Sequence, residues 1–239
     1  MRLMSWNINR GLARDLPRVI SEEVDVAVLC EANMTAPAAA FDMSQVSWCS
    51  TGDLDDRGLV VAGFGVEVYP LAEREGQGRW TMAALTDAGF GVVGIWTCPR
   101  SGPYGPQAVA SIDAYRDFLV EQPCIVAGDF NVSPNGTEDS RTGVLRGIFE
   151  DLADLGYHSA YHQFTGCSYG QEAHATYFHR YRRDEPFHID FVFMHEALLA
   201  GLADVKIGSF DDWVAGSLGV AGHSDHVPLI VDFELPGSP

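Results

Sequence analysis

The sequence reads as an α/β sandwich built on mixed β-sheets. Three features lead to that reading. Short apolar runs rich in Val and Ile end in glycine or a polar residue, as buried strands do. Amphipathic stripes at helical spacing stand between several of these runs. The order is strand, helix, strand, then a run of strands, then helices interleaved with strands. That order favours mixed sheets over a doubly wound parallel one. At 239 residues the chain has the length of an ordinary α/β domain, and we expect a single domain over 1–239.

The first strand is expected from Leu3 to Trp6, leading into Asn7. A helix follows from Asp15 to near Glu23, with Pro17 in its first turn. Val26-Ala27-Val28-Leu29-Cys30 is a second strand, ending at Glu31. Three or four more are expected between 57 and 97, around 59–62, 66–71, 80–85 and 92–97. Residues 101–106 read as a loop, being Gly- and Pro-rich. Pro106 then suits the first turn of a helix with the apolar face Ala108, Ile112, Tyr115 and Leu119. Cys124-Ile125-Val126-Ala127 is a strand running through Gly128 to Asp129. Leu145, Ile148, Phe149, Leu152 and Leu155 form a stronger helical stripe, stopped by Gly156. Residues 188–193 alternate as a strand, a short helix is expected near 196–202, and 215–222 form a loop. A last strand covers 227–233.

Composition excludes several classes of protein. With 46% hydrophobic and 20% charged residues, the chain is neither disordered nor fibrous. Fifteen Lys and Arg against 33 Asp and Glu leave a net charge of −18, and Lys206 is the sole lysine. Such a chain does not hold nucleic acid through a diffuse basic surface. It can still act on a phosphate polymer if metal ions supply positive charge. The five cysteines, at 30, 49, 98, 124 and 167, form no C-x-x-C pair and suit neither a zinc ribbon nor a disulfide framework. The start lacks the apolar run of a signal peptide, and no stretch approaches the ~20 apolar residues of a membrane span. A reduced, cytoplasmic protein is expected, with no membrane association and no obligate protein partner.

The strand ends collect one kind of chemistry: Asn7 and Asn9, Glu31, Asp129 and Asn131, Asp190, Asp225 and His226. Ligands of α/β folds gather at strand ends along one sheet edge. Carboxylate and amide oxygens suit Mg²⁺ or Mn²⁺ and not zinc. A single Asp after a strand is more often a turn residue or helix cap than a ligand. Five such ends with the same chemistry outweigh that reading.

The wording of the motifs goes further. Ser5-Trp6-Asn7-Ile8-Asn9-Arg10-Gly11, Leu29-Cys30-Glu31, Gly128-Asp129-Phe130-Asn131, His188-Ile189-Asp190-Phe191 and Ser224-Asp225-His226-Val227-Pro228-Leu229 occur in that order. Together they resemble the endonuclease/exonuclease/phosphatase superfamily, over residues 3 to 233. The resemblance implies a four-layer α/β/β/α sandwich, two mixed β-sheets packed face to face with helices outside. It also implies metal-dependent hydrolysis of a phosphate ester. Glu31 then looks like the principal Mg²⁺ ligand, Asn9 like a weaker second one, and Asp225 like an outer metal or orienting carboxylate. Asn7 looks like a donor to phosphate or metal. Asp129 looks like the group that orients or deprotonates the attacking water, with Asn131 holding it. His226 looks like the phosphate-contacting histidine, its ring fixed by Asp190.

One departure from the family pattern stands out. Relatives carry a His or Tyr near the end of the strand before Gly-Asp-x-Asn, where this chain has Trp96 or Thr97. Neither is a general acid. Arg100 either replaces the missing phosphate contact or is a solvated loop residue. Arg10, directly after Asn9, is a candidate phosphate contact, and His174 precedes a segment resembling the family's Thr-aromatic strand beside the site. His179-Arg180-Tyr181-Arg182-Arg183 is the one dense basic cluster. It is either a solvated hairpin tip or a grip in which Arg180, Arg182 and Arg183 meet substrate phosphates and Tyr181 stacks on a base. The expected function is a Mg²⁺- or Mn²⁺-dependent nuclease with DNA or RNA as substrate. The alternative is a phosphatase or phosphodiesterase for a small or lipid-linked phosphate of the inositol phosphate or sphingomyelin type. A non-catalytic binding member is a third reading, disfavoured because every metal- and water-handling position is kept. The motifs read the phosphate and not what is attached to it.

Overall fold

A computed structural model describes residues 1–33, 46–53, 57–215 and 223–237. One six-stranded sheet contains β1 (Arg2–Asn7), β2 (Val26–Ala32), β3 (Val46–Asp53), β4 (Arg57–Phe64), β13 (Leu202–Ile207) and β14 (Leu229–Phe233). Its order is β13-β14-β1-β2-β4-β3. The other contains β5 (Val68–Pro70), β6 (Thr81–Thr86), β7 (Gly91–Trp96), β8 (Cys124–Asp129), β9 (Tyr157–Ser159) and β12 (Asp190–His195), in the order β5-β6-β7-β8-β12-β9. β1 pairs parallel with β2, and β7 with β8, while the other pairs are antiparallel, so both sheets are mixed. A two-stranded ribbon, β10 (Tyr177–Phe178) with β11 (Pro186–Phe187), completes the strands.

Strands buried on both faces explain the continuous apolar runs. Leu3, Val26, Val28, Leu59 and Val61 of the first sheet pack against Met82, Val92, Ile125 and Val192 of the second. Behind the first sheet lies α1 (Leu12–Ser21), whose Leu12, Leu16 and Val19 cover Met4, Ala27 and Leu29. Behind the second lie α2 (Tyr104–Ala114), α3 (Arg116–Glu121) and, beyond α4 (Thr137–Thr142), α5 (Val144–Asp154). Their Ala108, Ile112, Leu145, Ile148 and Leu152 cover Val93, Ile95, Val126 and Phe193. The layers are therefore α/β/β/α, as the motif resemblance implies. Shorter helices α6 (Ala160–Thr165), α7 (Glu196–Leu199) and α8 (Phe210–Trp213) fill the margins.

Several local expectations need correction. α1 begins at Leu12, so Pro17 lies inside the helix and not in its first turn. Burial of Leu12, Leu16 and Val19 on one stripe outweighs the backbone hydrogen bond that Pro17 forgoes. The helix after Pro106 divides at Tyr115 (φ −108°, ψ 12°), whose hydroxyl turns in to donate to Gln77 Oε1 at 2.7 Å. Residues 104–106, expected as loop, are the first turn of α2. The strand expected over 66–71 shrinks to Val68–Pro70. The strands β3, β9, β13 and the β10–β11 ribbon, and the helices α4, α6 and α8, have no clear local signal. The six residues of β13 are half-buried or exposed without strict alternation, and its partner β14 supplies the register. Of the loop expected over 215–222, residues 216–222 lie outside the described residues. Among the described residues no helix is long and apolar enough to cross a membrane.

Gly128 shows how backbone packing shapes the site. It adopts φ +145°, and a Cβ there would sit 1.9 Å from the Ile95 carbonyl oxygen of the parallel neighbour β7. The strand pair that ends in Asp129 therefore closes only over glycine. Gly128→Ala is expected to destabilise the protein by about 2 kcal/mol or more. Urea unfolding of the two proteins, read as a shift in midpoint at constant slope, checks this.

Candidate active site

Strand ends from both sheets meet at one place. Asn7 closes β1, and the parallel register of β1 and β2 sets it opposite Cys30, next to Glu31. Asp129 ends β8 and pairs directly with Asp190, the first residue of β12. Glu31 sits where the β2–β4 register shifts between Leu29 and Ala32, with φ 56°. Asn9 (40°), Arg10 (65°) and Asn131 (54°) are left-handed as well. Such conformations cost non-glycine residues on the order of 1 kcal/mol each, and hydrogen bonds hold them in place. Arg10 N donates to Glu31 O at 2.7 Å, Asn9 N to Asn7 Oδ1 at 3.0 Å, and Asn131 N to Asp129 Oδ1 at 2.9 Å.

The side chains form one connected network. Asn7 Nδ2 donates to Asp129 Oδ2 at 2.9 Å and to Glu31 Oε1 at 3.2 Å. Asn131 Nδ2 donates to Asp129 Oδ2 at 2.8 Å and to the Thr97 carbonyl at 2.9 Å. His226 Nδ1 donates to Asp190 Oδ2 at 2.9 Å, and its Nε2 lies 3.9 Å from Asp129 Oδ2. Thr176 Oγ1 accepts from the amides of Ile189 and Asp190, both at 3.0 Å, fixing the start of β12. Ser224 Oγ accepts from His226 N at 3.0 Å and donates to the Asn7 carbonyl, tying the histidine segment to β1. The Tyr177 ring lies against His226, with centroids 4.6 Å apart.

Burial and charge set the protonation. Burial alone would lower the His226 imidazole, but the carboxylates of Asp190 and Asp129 outweigh it and raise its pKa. Burial, then Asp190, push the Asp129 carboxyl far above the usual carboxylate range, against the pull of His226 and Asn7. Asp225 is raised by burial in the same way. A buried excess of negative charge invites a cation. The test of fit for a divalent metal ion is the donor set. Ligand atoms of Asp129, Asp190 and His226 lie within 4.8 Å of one another, and among the described residues Asp190 Oδ1 is buried without a hydrogen-bond partner. The carboxylate oxygens suit a hard cation, whereas the protonated His226 ring, bonded to Asp190, is not a donor to one. Glu31 and Asp225, expected as ligands, do not join this tight cluster, although Asn7 links Glu31 to Asp129.

The other expected site residues fall into distinct places. Asn9 Nδ2 donates to the His223 carbonyl at 3.0 Å and to the Tyr181 hydroxyl at 3.3 Å. Tyr181, expected to stack on a base, instead donates its hydroxyl to the same carbonyl at 2.7 Å and fastens the ribbon tip to the β1 end. Arg10 is exposed beside the site, and Arg100 is exposed in a 3₁₀ turn at Pro99–Ser101. His174 is exposed and accepts from the Tyr161 hydroxyl at 3.0 Å, lining a groove of about 500 Å³ with Asn135, Phe187 and Ser209. Arg182 pairs with Asp184 and Glu185, and Arg183 with Asp211, so two of the three arginines are already neutralised. Arg180 is exposed at φ 53°. Neither Trp96 nor Thr97 faces a substrate. Trp96 packs on Trp80 between the sheets, at 4.7 Å, and Thr97 Oγ1 donates to the Phe130 carbonyl at 2.6 Å. Sequence reasoning missed Arg57, which forms an ion pair with Glu31. It also missed Thr176 and Tyr177 as supports of Asp190 and His226. Arg57 carries no local signal, because β4 meets Glu31 only through the sheet.

Comparison with known proteins gives the chain a family and a fold. Residues 4–214 match the Endonuclease/Exonuclease/phosphatase family. No curated protein matches the sequence significantly. Among solved structures, the chain is similar to a 3′-5′ exonuclease (NExo) from Neisseria meningitidis, with a TM-score of 0.74 and 20% identity, covering 98% of this chain and 100% of that one. It is similar to the Neisseria 3′ phosphatase NExo bound to a product DNA hairpin, with a TM-score of 0.73 and 20% identity over 98% and 99% of the two chains. An AP endonuclease from Archaeoglobus fulgidus aligns with a TM-score of 0.77 and 15% identity over 98% and 100%. At these identities the structural likeness shows the fold.

Proposed function

The chain belongs to the endonuclease/exonuclease/phosphatase family, and on that footing we propose that it is a Mg²⁺- or Mn²⁺-dependent nuclease. It would hydrolyse phosphodiester bonds of DNA or RNA by in-line attack of an activated water. The observation that carries this reading is the buried network joining Asp190–His226 to Asn7–Asp129–Asn131 where the two sheets' strand ends meet. Asp129 accepts the proton of the attacking water, and its raised pKa suits a base working near neutral pH. Asn7 and Asn131 both donate to Oδ2 and hold the carboxylate plane. His226 stays protonated through Asp190 and presents Nε2 to a phosphoryl oxygen, where negative charge develops. Glu31, with Asn9 and Asp225, would hold the divalent cation. When bound, the cation supplies Lewis-acid stabilisation of the phosphoryl and leaving-group oxygens. The structural relatives' DNA chemistry supports the choice of nucleic acid as substrate.

A panel of plasmid, single-stranded DNA, RNA, nucleotide and inositol phosphate substrates, with Mg²⁺ and with Mn²⁺, tests the proposal. Turnover confined to small phosphates would overturn it. The small-phosphate reading draws on one observation, that Arg182 and Arg183 are occupied by the protein's own carboxylates. The two readings separate on substrate length. If the ribbon tip grips a polymer, replacing Arg180, Arg182 and Arg183 together by Ala raises KM for oligonucleotides about fivefold or more and leaves a short diester unaffected. The measurement is kcat/KM against oligonucleotide length for both proteins. A flat length dependence that the triple variant leaves unchanged favours the small phosphate.

A further inference from the structure

Arg57 opens β4, the strand beside β2, and the register shift that turns Glu31 out of β2 brings the two side chains together. Arg57 Nη1 forms an ion pair with Glu31 Oε2, while the other oxygen, Oε1, accepts from Asn7 Nδ2 at 3.2 Å. Asn7 Nδ2 in turn reaches Asp129 Oδ2. The Glu31 carboxylate is thus divided, one oxygen bonded by the Asn7 amide and the other by a guanidinium. Both groups are sheltered, with side-chain exposures of 28% for Arg57 and 16% for Glu31, so solvent screens the pair only partly. Arg57 Nε is buried and has no hydrogen-bond partner among the described residues.

The geometry points to Arg57 as a positioning residue that makes Glu31 a one-oxygen metal ligand and holds the metal affinity of the free enzyme down. This inference rests on the metal-dependent reading above. The guanidinium holds one Glu31 oxygen in place, so a cation arriving at this carboxylate would compete with Arg57 for it. The fixed positive charge also stands one carboxylate away from a divalent cation and repels it. The resting site is therefore loosely loaded, and the negative oxygens of an arriving phosphate complete the charge balance. The charge is the larger part of this role, so an ammonium at position 57 keeps most of it while losing the planar fork that fixes the carboxylate plane.

The test is Mn²⁺ binding to the protein alone, by calorimetry and by electron paramagnetic resonance of free Mn²⁺. Arg57→Met is expected to tighten Mn²⁺ binding about tenfold or more. Arg57→Gln should do the same, which keeps the test usable if the methionine variant folds poorly. Arg57→Lys, which keeps the charge, should stay within about threefold of the parent protein. In activity assays the Mg²⁺ concentration for half-maximal rate should fall in parallel in the two neutral variants. Parent protein that binds Mn²⁺ with an affinity unchanged or weakened in both neutral variants overturns the role of Arg57 and leaves the metal-dependent reading standing. Absence of Mn²⁺ binding in the parent and all variants overturns both.

Discussion

His226→Ala and Asp190→Asn are each expected to lower kcat/KM by about 10³-fold or more, and the double variant to lose little beyond either alone. The reason is that the two side chains act as one group. His226 Nδ1 and Asp190 Oδ2 are 2.9 Å apart and both residues are buried, so the carboxylate fixes the ring and keeps its proton. Asp190→Asn preserves the backbone anchor to Thr176 but removes the charge. The imidazole pKa then falls back towards its ordinary value, about 6.5. The sign follows directly. On the proposed mechanism the active form is the protonated histidine, so wild-type activity is expected to persist above the ordinary imidazole range and to decline only as His226 loses its proton. In Asp190→Asn that declining limb moves to lower pH. The rising limb, set by Asp129, lies above the usual carboxylate range in the parent and also moves to lower pH in Asp190→Asn, where one of the charges that raises it is gone. A double-mutant cycle, with pH profiles of kcat/KM, measures all of this. Losses that multiply would show that the two residues work independently.

Glu31→Gln is expected to weaken Mn²⁺ binding about 100-fold and to cut kcat/KM at fixed Mg²⁺ by about 10³-fold. The substitution keeps the shape and the Asn7 contact but removes the charge that faces both the cation and Arg57. The fold should tolerate it, because Glu31 lies at a partly exposed strand end and not in the core between the sheets. Thermal unfolding run beside the metal titration separates a lost ligand from a lost fold. Removal of divalent metal with excess EDTA should abolish activity, and Mg²⁺ or Mn²⁺ should restore it. Full activity in excess EDTA would contradict the metal-dependent mechanism outright.

The candidate site was legible because its members stand where short-range pattern is strongest. Asn7, Glu31 and Asp129 each follow an apolar run, so the end of the strand and the polar group announce each other. Gly128 before Asp129 is another local mark, and the closeness of Ile95 gives it a physical cause. The four layers follow from the same runs, since strands apolar on both faces must be covered on both sides. The helix stripes ending at Leu119 and Leu155 lie on the outer faces they imply, although Tyr115 breaks the first of them.

Tertiary contacts decided the rest, because the partners involved are distant in sequence and leave no period to read. Arg57 meets Glu31 only through the β2–β4 ladder, and Arg183 of the ribbon tip meets Asp211 of α8. A basic run that reads as a phosphate grip is in part a set of internal ion pairs, and composition is blind to that difference. Trp96 and Thr97 look from sequence like occupants of an empty catalytic position. The packing of Trp96 on Trp80, and the bond from Thr97 to the Phe130 carbonyl, turn both inward. Edge strands such as β13 take their conformation from the neighbour that supplies the hydrogen bonds, not from their own residues. Local sequence determined which atoms could do chemistry and roughly where each strand delivers them. Pairing and burial determined which of those atoms meet, which carry a proton, and which positive charge stands beside them.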